Sequence, residues 1–105
     1  MVPSPIYAPF TEAPENMERG FVKTYLKDSN GRLEFDFDEI RTLLSEDTKL
    51  LFLCNPHNPG GSVFSQEELI ELSRLCEENG VIVCSDEIHS DLVLDEGLKH
   101  IPFAT

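Results

Sequence analysis

The chain has 105 residues, enough for one small domain. Its 40% hydrophobic and 27% charged content is ordinary for a globular protein. A net charge of −12 excludes two partner classes that need surplus Lys and Arg: nucleic acid, whose phosphates are bound by displacing counterions, and an anionic membrane surface. The acidic residues are spread along the chain and read as a solvated surface.

The longest apolar run, Leu50-Leu51-Phe52-Leu53-Cys54, is far too short to span a bilayer. Met1-Val2-Pro3-Ser4-Pro5 has no basic region and no long apolar stretch, so it is not expected to be a secretory signal. Cys54, Cys76 and Cys84 are odd in number and lack paired metal spacing. They read as free thiols of a reducing cytoplasm. Both ends look like cuts through structural elements, and the chain is expected to be an internal piece of a longer polypeptide.

Taken in chain order, residues 10–19 suit a short helix interrupted by Pro14, and the alternation over 21–26 suits a strand. Asp28-Ser29-Asn30-Gly31 is a turn, with Asn-Gly suited to a tight hairpin and 33–35 as the return strand. Asp36 and Glu39 fit an Asx form of the capping box, opening a helix that buries Phe37, Ile40, Leu43 and Leu44 and ends near Glu46. The run 50–54 has the length and composition of a strand buried on both faces. A Pro- and Gly-rich loop over 55–62 comes next. Ser65 and Glu68 then form a capping box, Leu69, Leu72, Leu75 and Cys76 make a helical stripe, and Gly80 is the stop. Residues 81–84 make a second apolar strand, ending in Ser85-Asp86-Glu87.

The clearest unit is therefore strand, helix, strand: a βαβ crossover with two parallel strands. Such strands need helices on both faces, and this chain supplies few. Ligands of open α/β sheets bind beyond the carboxyl ends of the strands. Asn58 lies just after the first buried strand and Asp86 closes the second. If the strands are immediate neighbours, about 4.8 Å apart, both residues could address one ligand. An acid at the end of a buried strand needs a partner, and a cationic ligand nitrogen would serve. Each residue also has a plain reading: Asp86 as the cap of a helix after the strand or as the partner of a nearby Lys, Asn58 as a loop residue, His89 as a packing or surface histidine, Tyr7 as core.

Asn55-Pro56-His57-Asn58-Pro59-Gly60-Gly61 is similar to the Asn-Pro-x-Asn-Pro-Thr-Gly motif of fold-type I pyridoxal-phosphate (PLP) enzymes, the aminotransferase class I/II family. Ser85-Asp86-Glu87-Ile88-His89-Ser90-Asp91 resembles the family's next motif at the expected distance. Ile88-His89, with His where most aminotransferases carry Tyr, resembles the cystathionine β-lyase-like C–S lyase branch, as does His100-Ile101-Pro102-Phe103. Pro5-Ile6-Tyr7-Ala8-Pro9-Phe10 resembles the upstream Pro-x-Tyr segment.

The resemblance implies an α/β fold: part of a three-layer α/β/α large domain with a mostly parallel sheet, residues 1–105 being a partial PLP-binding domain. It implies pyridoxal 5'-phosphate as cofactor and four cofactor-binding residues. Asp86 would hold the pyridine nitrogen protonated, Asn58 would donate to the phenolic oxygen, His89 would stand where a second such donor is usual, and Tyr7 would stack on the ring. Cis bonds are implied at Asn58-Pro59 and Ser4-Pro5. Gly60 departs from the family's Thr and puts the rigidity of the loop in question.

The lysine that carries the cofactor is expected outside this chain, because Lys23, Lys27, Lys49 and Lys99 lack its Ser-x-x-Lys-like context. The chain by itself is expected to be inactive. For the full-length protein the implied function is a cytoplasmic, homodimeric C–S lyase acting on a small-molecule amino acid. A PLP-dependent aminotransferase is the alternative, and a truncated, non-catalytic interaction module a further one.

Overall fold

A computed structural model describes residues 1–104. The chain runs β1 (Val2–Ser4), α1 (Pro9–Asn16), β2 (Lys23–Tyr25), β3 (Lys27–Ser29), β4 (Arg32–Glu34), α2 (Phe37–Leu43), β5 (Leu50–Cys54), α3 (Gln66–Glu78) and β6 (Ile82–Asp86).

The β5–α3–β6 unit forms as its pattern requires. The two strands pair in parallel, from Leu50 opposite Ile82 to Cys54 opposite Asp86. The start of α3 is fixed by a reciprocal capping box: Ser65 Oγ accepts from the Glu68 amide at 3.2 Å, and the Glu68 carboxylate accepts from the Ser65 amide at 2.8 Å. Leu69, Leu72, Leu75 and Cys76 are its buried stripe. Gly80, in the left-handed region at φ 63°, turns the chain out of the helix into β6.

β1 pairs in parallel with β2. Met1 joins that ladder to β5: its nitrogen donates to the Leu50 carbonyl at 2.7 Å, and its carbonyl accepts from the Phe52 amide at 3.1 Å. The spatial order is thus β2, β1, β5, β6. The α/β class and the mostly parallel pairing agree with expectation. The antiparallel pair is the hairpin β3–β4, where Asn30 and Gly31 take positive φ (54° and 85°) in a two-residue turn. Its outgoing strand is Lys27–Ser29, not the expected 21–26, because Lys23–Tyr25 is already paired with β1.

α2 starts as predicted, with Asp36 Oδ1 accepting from the Glu39 amide at 3.0 Å, but it stops at Leu43, short of Glu46, where Leu44 turns extended. Glu39 does not complete a capping box. Its carboxylate accepts instead from Thr24 Oγ1 at 2.8 Å and the Tyr25 amide at 2.5 Å, tying α2 to β2. The Tyr25 amide would otherwise lack an acceptor on that edge of β2.

α2 and α3 share one face of the sheet. Phe35, Ile40, Leu51, Leu53, Phe64 and Leu72 form the centre of the core there, and Phe35 stacks on Phe64 with centroids 4.1 Å apart. Among the described residues the opposite face carries α1 alone, whose Phe10 meets Phe52 edge-on at 5.2 Å. Ile82 (70% exposed) and Cys84 lie bare on that second face. The chain therefore builds the sheet and one complete layer of helix, as its few helices implied. Among the described residues no helix is long and apolar enough to cross a membrane.

Candidate functional site

The loop 55–62 leaves the carboxyl end of β5, and Asp86 ends β6 beside it. Cys54 is the register partner of Asp86, and the Asn55 amide donates to the Asp86 carbonyl at 3.0 Å. The Cys54 thiol lies between the two motifs. Burial pushes its pKa up, the backbone N–H of Asn58 opposes that rise, and the Asp86 carboxylate adds to it. The register and the Asn55–Asp86 bond thus place the Asn58 loop and Asp86 at one corner of the fold.

Asp86 Oδ1 accepts from the Ile88 amide at 3.0 Å and so caps a turn after β6, close to one plain reading of this residue. The other plain reading does not hold: among the described residues no Lys, Arg or His pairs with Asp86. Its second oxygen retains accepting capacity. Asn58 is half-buried, and its carboxamide bonds to no described residue. Its carbonyl accepts from the Tyr7 amide at 3.0 Å, which brings the β1–α1 connection against the loop. Tyr7 is 54% exposed, so it is not core. His89 lies in the turn after β6, half-buried, and its carbonyl accepts from the Leu92 amide at 2.8 Å. Backbone bonds gather Tyr7, Asn58 and Asp86. His89 joins them only through its closeness in sequence to Asp86.

The loop is firmly built. Asn55 is fully buried, and its Oδ1 accepts from the Phe64 amide at 3.1 Å. The His57 amide donates to the Ser62 carbonyl at 2.8 Å, and the His57 carbonyl accepts from the Gly61 amide at 2.7 Å. His57 Nδ1 accepts from the Gly60 amide at 3.3 Å. A Cβ on Gly60 would stand 2.7 Å from both His57 Nδ1 and Leu33 Cδ1. The missing hydroxyl therefore does not loosen the loop: His57 and Leu33 fill the space that a larger residue at position 60 would need. Burial holds the His57 imidazole below its ordinary pKa, with the Pro5 carbonyl pulling the other way. Peptide bonds Asn58-Pro59 and Ser4-Pro5 are cis, as the resemblance implied, and so is Asn55-Pro56.

Sequence reasoning passed over Asn55, His57 and Glu87. Glu87 Oε1 accepts from Ser85 Oγ at 2.8 Å and the Phe103 amide at 2.8 Å, while Oε2 meets His100 Nε2 at 3.1 Å. Burial raises its pKa, but the Phe103 amide, His100 and Ser85 outweigh that and hold the carboxyl below the ordinary glutamate range. A polar residue just outside an apolar strand was the available signal, but sequence cannot say which of Asp86 and Glu87 turns toward the core.

A cleft of about 810 Å³ lies at the opposite end of the sheet, where β5 begins, lined by Val22, Thr48, Leu50 and Phe52 among others and by none of the four candidate residues. Its lining is mostly apolar and faces the bare side of the sheet. Among the described residues, no three His, Cys, Asp or Glu side chains are grouped to hold a metal ion.

The whole of residues 1–104 matches the model of the family described as aminotransferase class I and II, and the chain belongs to that family. It is similar to cystathionine beta-lyase PatB of Bacillus subtilis, 46% identical over all of this chain and 27% of that protein. Glutamate-pyruvate aminotransferase AlaA of Escherichia coli is 31% identical over 95% of this chain and 24% of its own length. Among solved structures, the PLP-bound C-S lyase of Staphylococcus hominis superposes with a TM-score of 0.92 at 41% identity, covering 98% of this chain and 26% of that one. The chain spans about a quarter of the length of the curated relatives it matches.

Proposed function

We propose that this chain forms one wall of the PLP pocket of a C–S lyase, which cleaves sulfur amino acids by α,β-elimination in the manner of cystathionine β-lyase. The observation that carries the reading is the junction of the Asn58 loop with the end of β6, where Cys54 pairs with Asp86 and the Asn55 amide donates to the Asp86 carbonyl at 3.0 Å. The free groups suit that cofactor. A carboxylate with no protein cation and an unsatisfied oxygen can accept from a protonated ring nitrogen. A carboxamide without a partner among the described residues can donate to a phenolic oxygen, and an exposed tyrosine ring offers a stacking face.

PLP, when bound, supplies an electron sink for the bond changes at the α carbon of an amino acid. The residues of this chain hold and tune it. Asp86 accepts the ring N–H in a charge-assisted hydrogen bond, worth about 1.5–3 kcal/mol, and keeps that proton in place. Asn58 donates to the phenolic oxygen, and His89 is the second donor there. Tyr7 covers the ring and excludes water from it. Residues 1–105 are, on this reading, part of the large domain. The lysine that attaches the cofactor lies elsewhere in the polypeptide, since Lys23, Lys27 and Lys99 are exposed and Lys49 precedes β5 at the far end of the sheet.

The aminotransferase AlaA, similar over nearly all of this chain, supports a second reading, PLP-dependent transamination, which uses the same four residues. Lyase chemistry is favoured by the identity with PatB and by His89. A homodimer in the cytoplasm completes the proposal, the latter supported by three free cysteines. Full-length protein given cystathionine decides between the readings. Pyruvate and thiol released without a keto acid support the lyase; turnover only with a keto acid acceptor supports the aminotransferase; neither, in PLP-loaded protein, overturns both.

A further inference from the structure

We infer that Glu87 is a positioning residue, whose carboxylate clasps both ends of the 88–99 loop and so fixes Asp86 and His89; the inference rests on the PLP reading above. Side chains alternate along β6. Asp86 falls on the face that carries the exposed Ile82 and Cys84, and Ser85 on the face that carries Val83, which packs against the core under α3. Ser85 Oγ bonds Glu87 at 2.8 Å, so the two neighbours of Asp86 are bound to each other.

The same carboxylate holds the far end of the loop. The Phe103 amide and His100 Nε2 reach it at 2.8 and 3.1 Å. Their segment is firm, because Ile101 and Phe103 are packed against the core. Between these ends the loop contributes little of its own: Leu92 is 62% exposed, Leu94 91% and Leu98 52%. Apart from the short turns closed by the Ser90, Leu92 and Leu98 amides, a loop with so few apolar contacts depends on its closure for its shape. His89 sits inside it, and Asp86 immediately before it. Both oxygens of Glu87 are engaged and its pKa is depressed by its partners, so the clasp is made by the carboxylate form.

The test uses full-length protein with PLP, in wild-type form and as Glu87→Gln, His100→Ala and His100→Gln. Three quantities are read: the PLP dissociation constant from cofactor absorbance, the pH midpoint at which the bound cofactor's absorption changes, and the urea midpoint. Gln at position 87 cannot accept at its amide nitrogen; Gln at position 100 keeps a donor where Nε2 stands. Glu87→Gln and His100→Ala are expected to weaken PLP binding about tenfold, the loss of one charge-assisted bond, and to move the absorption midpoint. His100→Gln is expected to restore both.

Wild-type PLP affinity and midpoint in Glu87→Gln, or a lower urea midpoint with the cofactor quantities unchanged, overturns the inference. If Glu87→Gln does not fold, the His100 pair decides by the same criteria: equal behaviour of Ala and Gln at that position overturns it. Wild-type protein that binds no PLP would instead sink the reading on which the inference stands.

Discussion

The Asn55 amide donates to the Asp86 carbonyl at 3.0 Å, the last rung of the β5–β6 ladder. That bond sets the Asn58 loop beside the acid. The site is a consequence of register: a parallel pairing slipped by one residue would turn Asp86 to the helix-covered face and leave Glu87 in its place.

Asn58→Ala separates a ligand-binding role from a loop role. The carboxamide makes no bond within the described residues, so its removal is expected to change stability by no more than about 0.5 kcal/mol. PLP affinity is expected to fall about tenfold, as for loss of one hydrogen bond in a water-poor site. Parallel urea unfolding and absorbance titration check both. A large stability loss with unchanged affinity would assign Asn58 to the loop alone.

Gly60→Ala tests whether the loop is tightly packed. The new Cβ would meet His57 Nδ1 and Leu33 Cδ1 at 2.7 Å. Overpacking of this kind costs about 1–3 kcal/mol, read as a lower urea midpoint at unchanged m-value. No change would mean that the loop has room to spare.

His57 gives the fold a pH dependence of known sign. Its folded pKa is depressed by burial from an ordinary 6.5. Above about 6.5 neither state carries the proton and the contribution is complete. As the pH falls below that value, the unfolded chain takes up a proton that the folded chain refuses, and stability drops. The slope stays below the limit for one proton, about 1.4 kcal/mol per pH unit. Unfolding free energies at pH 7.5 and 5.5 should differ in the wild type and much less in His57→Asn, whose carboxamide oxygen can still accept from Gly60. Glu87, depressed from an ordinary 4.5, acts in the same direction but in a lower window.

The three cysteines should differ in reactivity. Cys84 is exposed on β6, while Cys54 and Cys76 are buried with thiol pKa values raised by burial. Alkylation of the chain at pH 7.5, followed by peptide mass mapping, should mark Cys84 first, with the other two reacting only after denaturation. Equal labelling of all three would contradict the burial of Cys54 and Cys76.

The sequence made the βαβ unit legible because each of its signals is local. The Ser65 and Glu68 cap, the Gly80 stop and the apolar runs at 50–54 and 81–84 depend on residues a few positions apart. The hairpin was half legible: Asn30-Gly31 sets the turn, but the outgoing strand is chosen by competition for β1, a contact distant in sequence. Glu39 was misassigned for the same reason, its carboxylate being claimed by Thr24 and Tyr25. Asn58 and Asp86 were visible through motif and spacing together. The Glu87 network was not, since it depends on His100 and Phe103 returning to the strand end across an irregular loop.

Whether Asp86 keeps the proton on the cofactor's ring nitrogen is the central claim, and ¹⁵N NMR of full-length protein loaded with ¹⁵N-labelled PLP measures it directly. The wild type should show a protonated ring nitrogen at neutral pH, and Asp86→Asn, with PLP affinity reduced about 10- to 100-fold, an unprotonated one. The same protonated signal in both proteins, at equal affinity, would contradict the account.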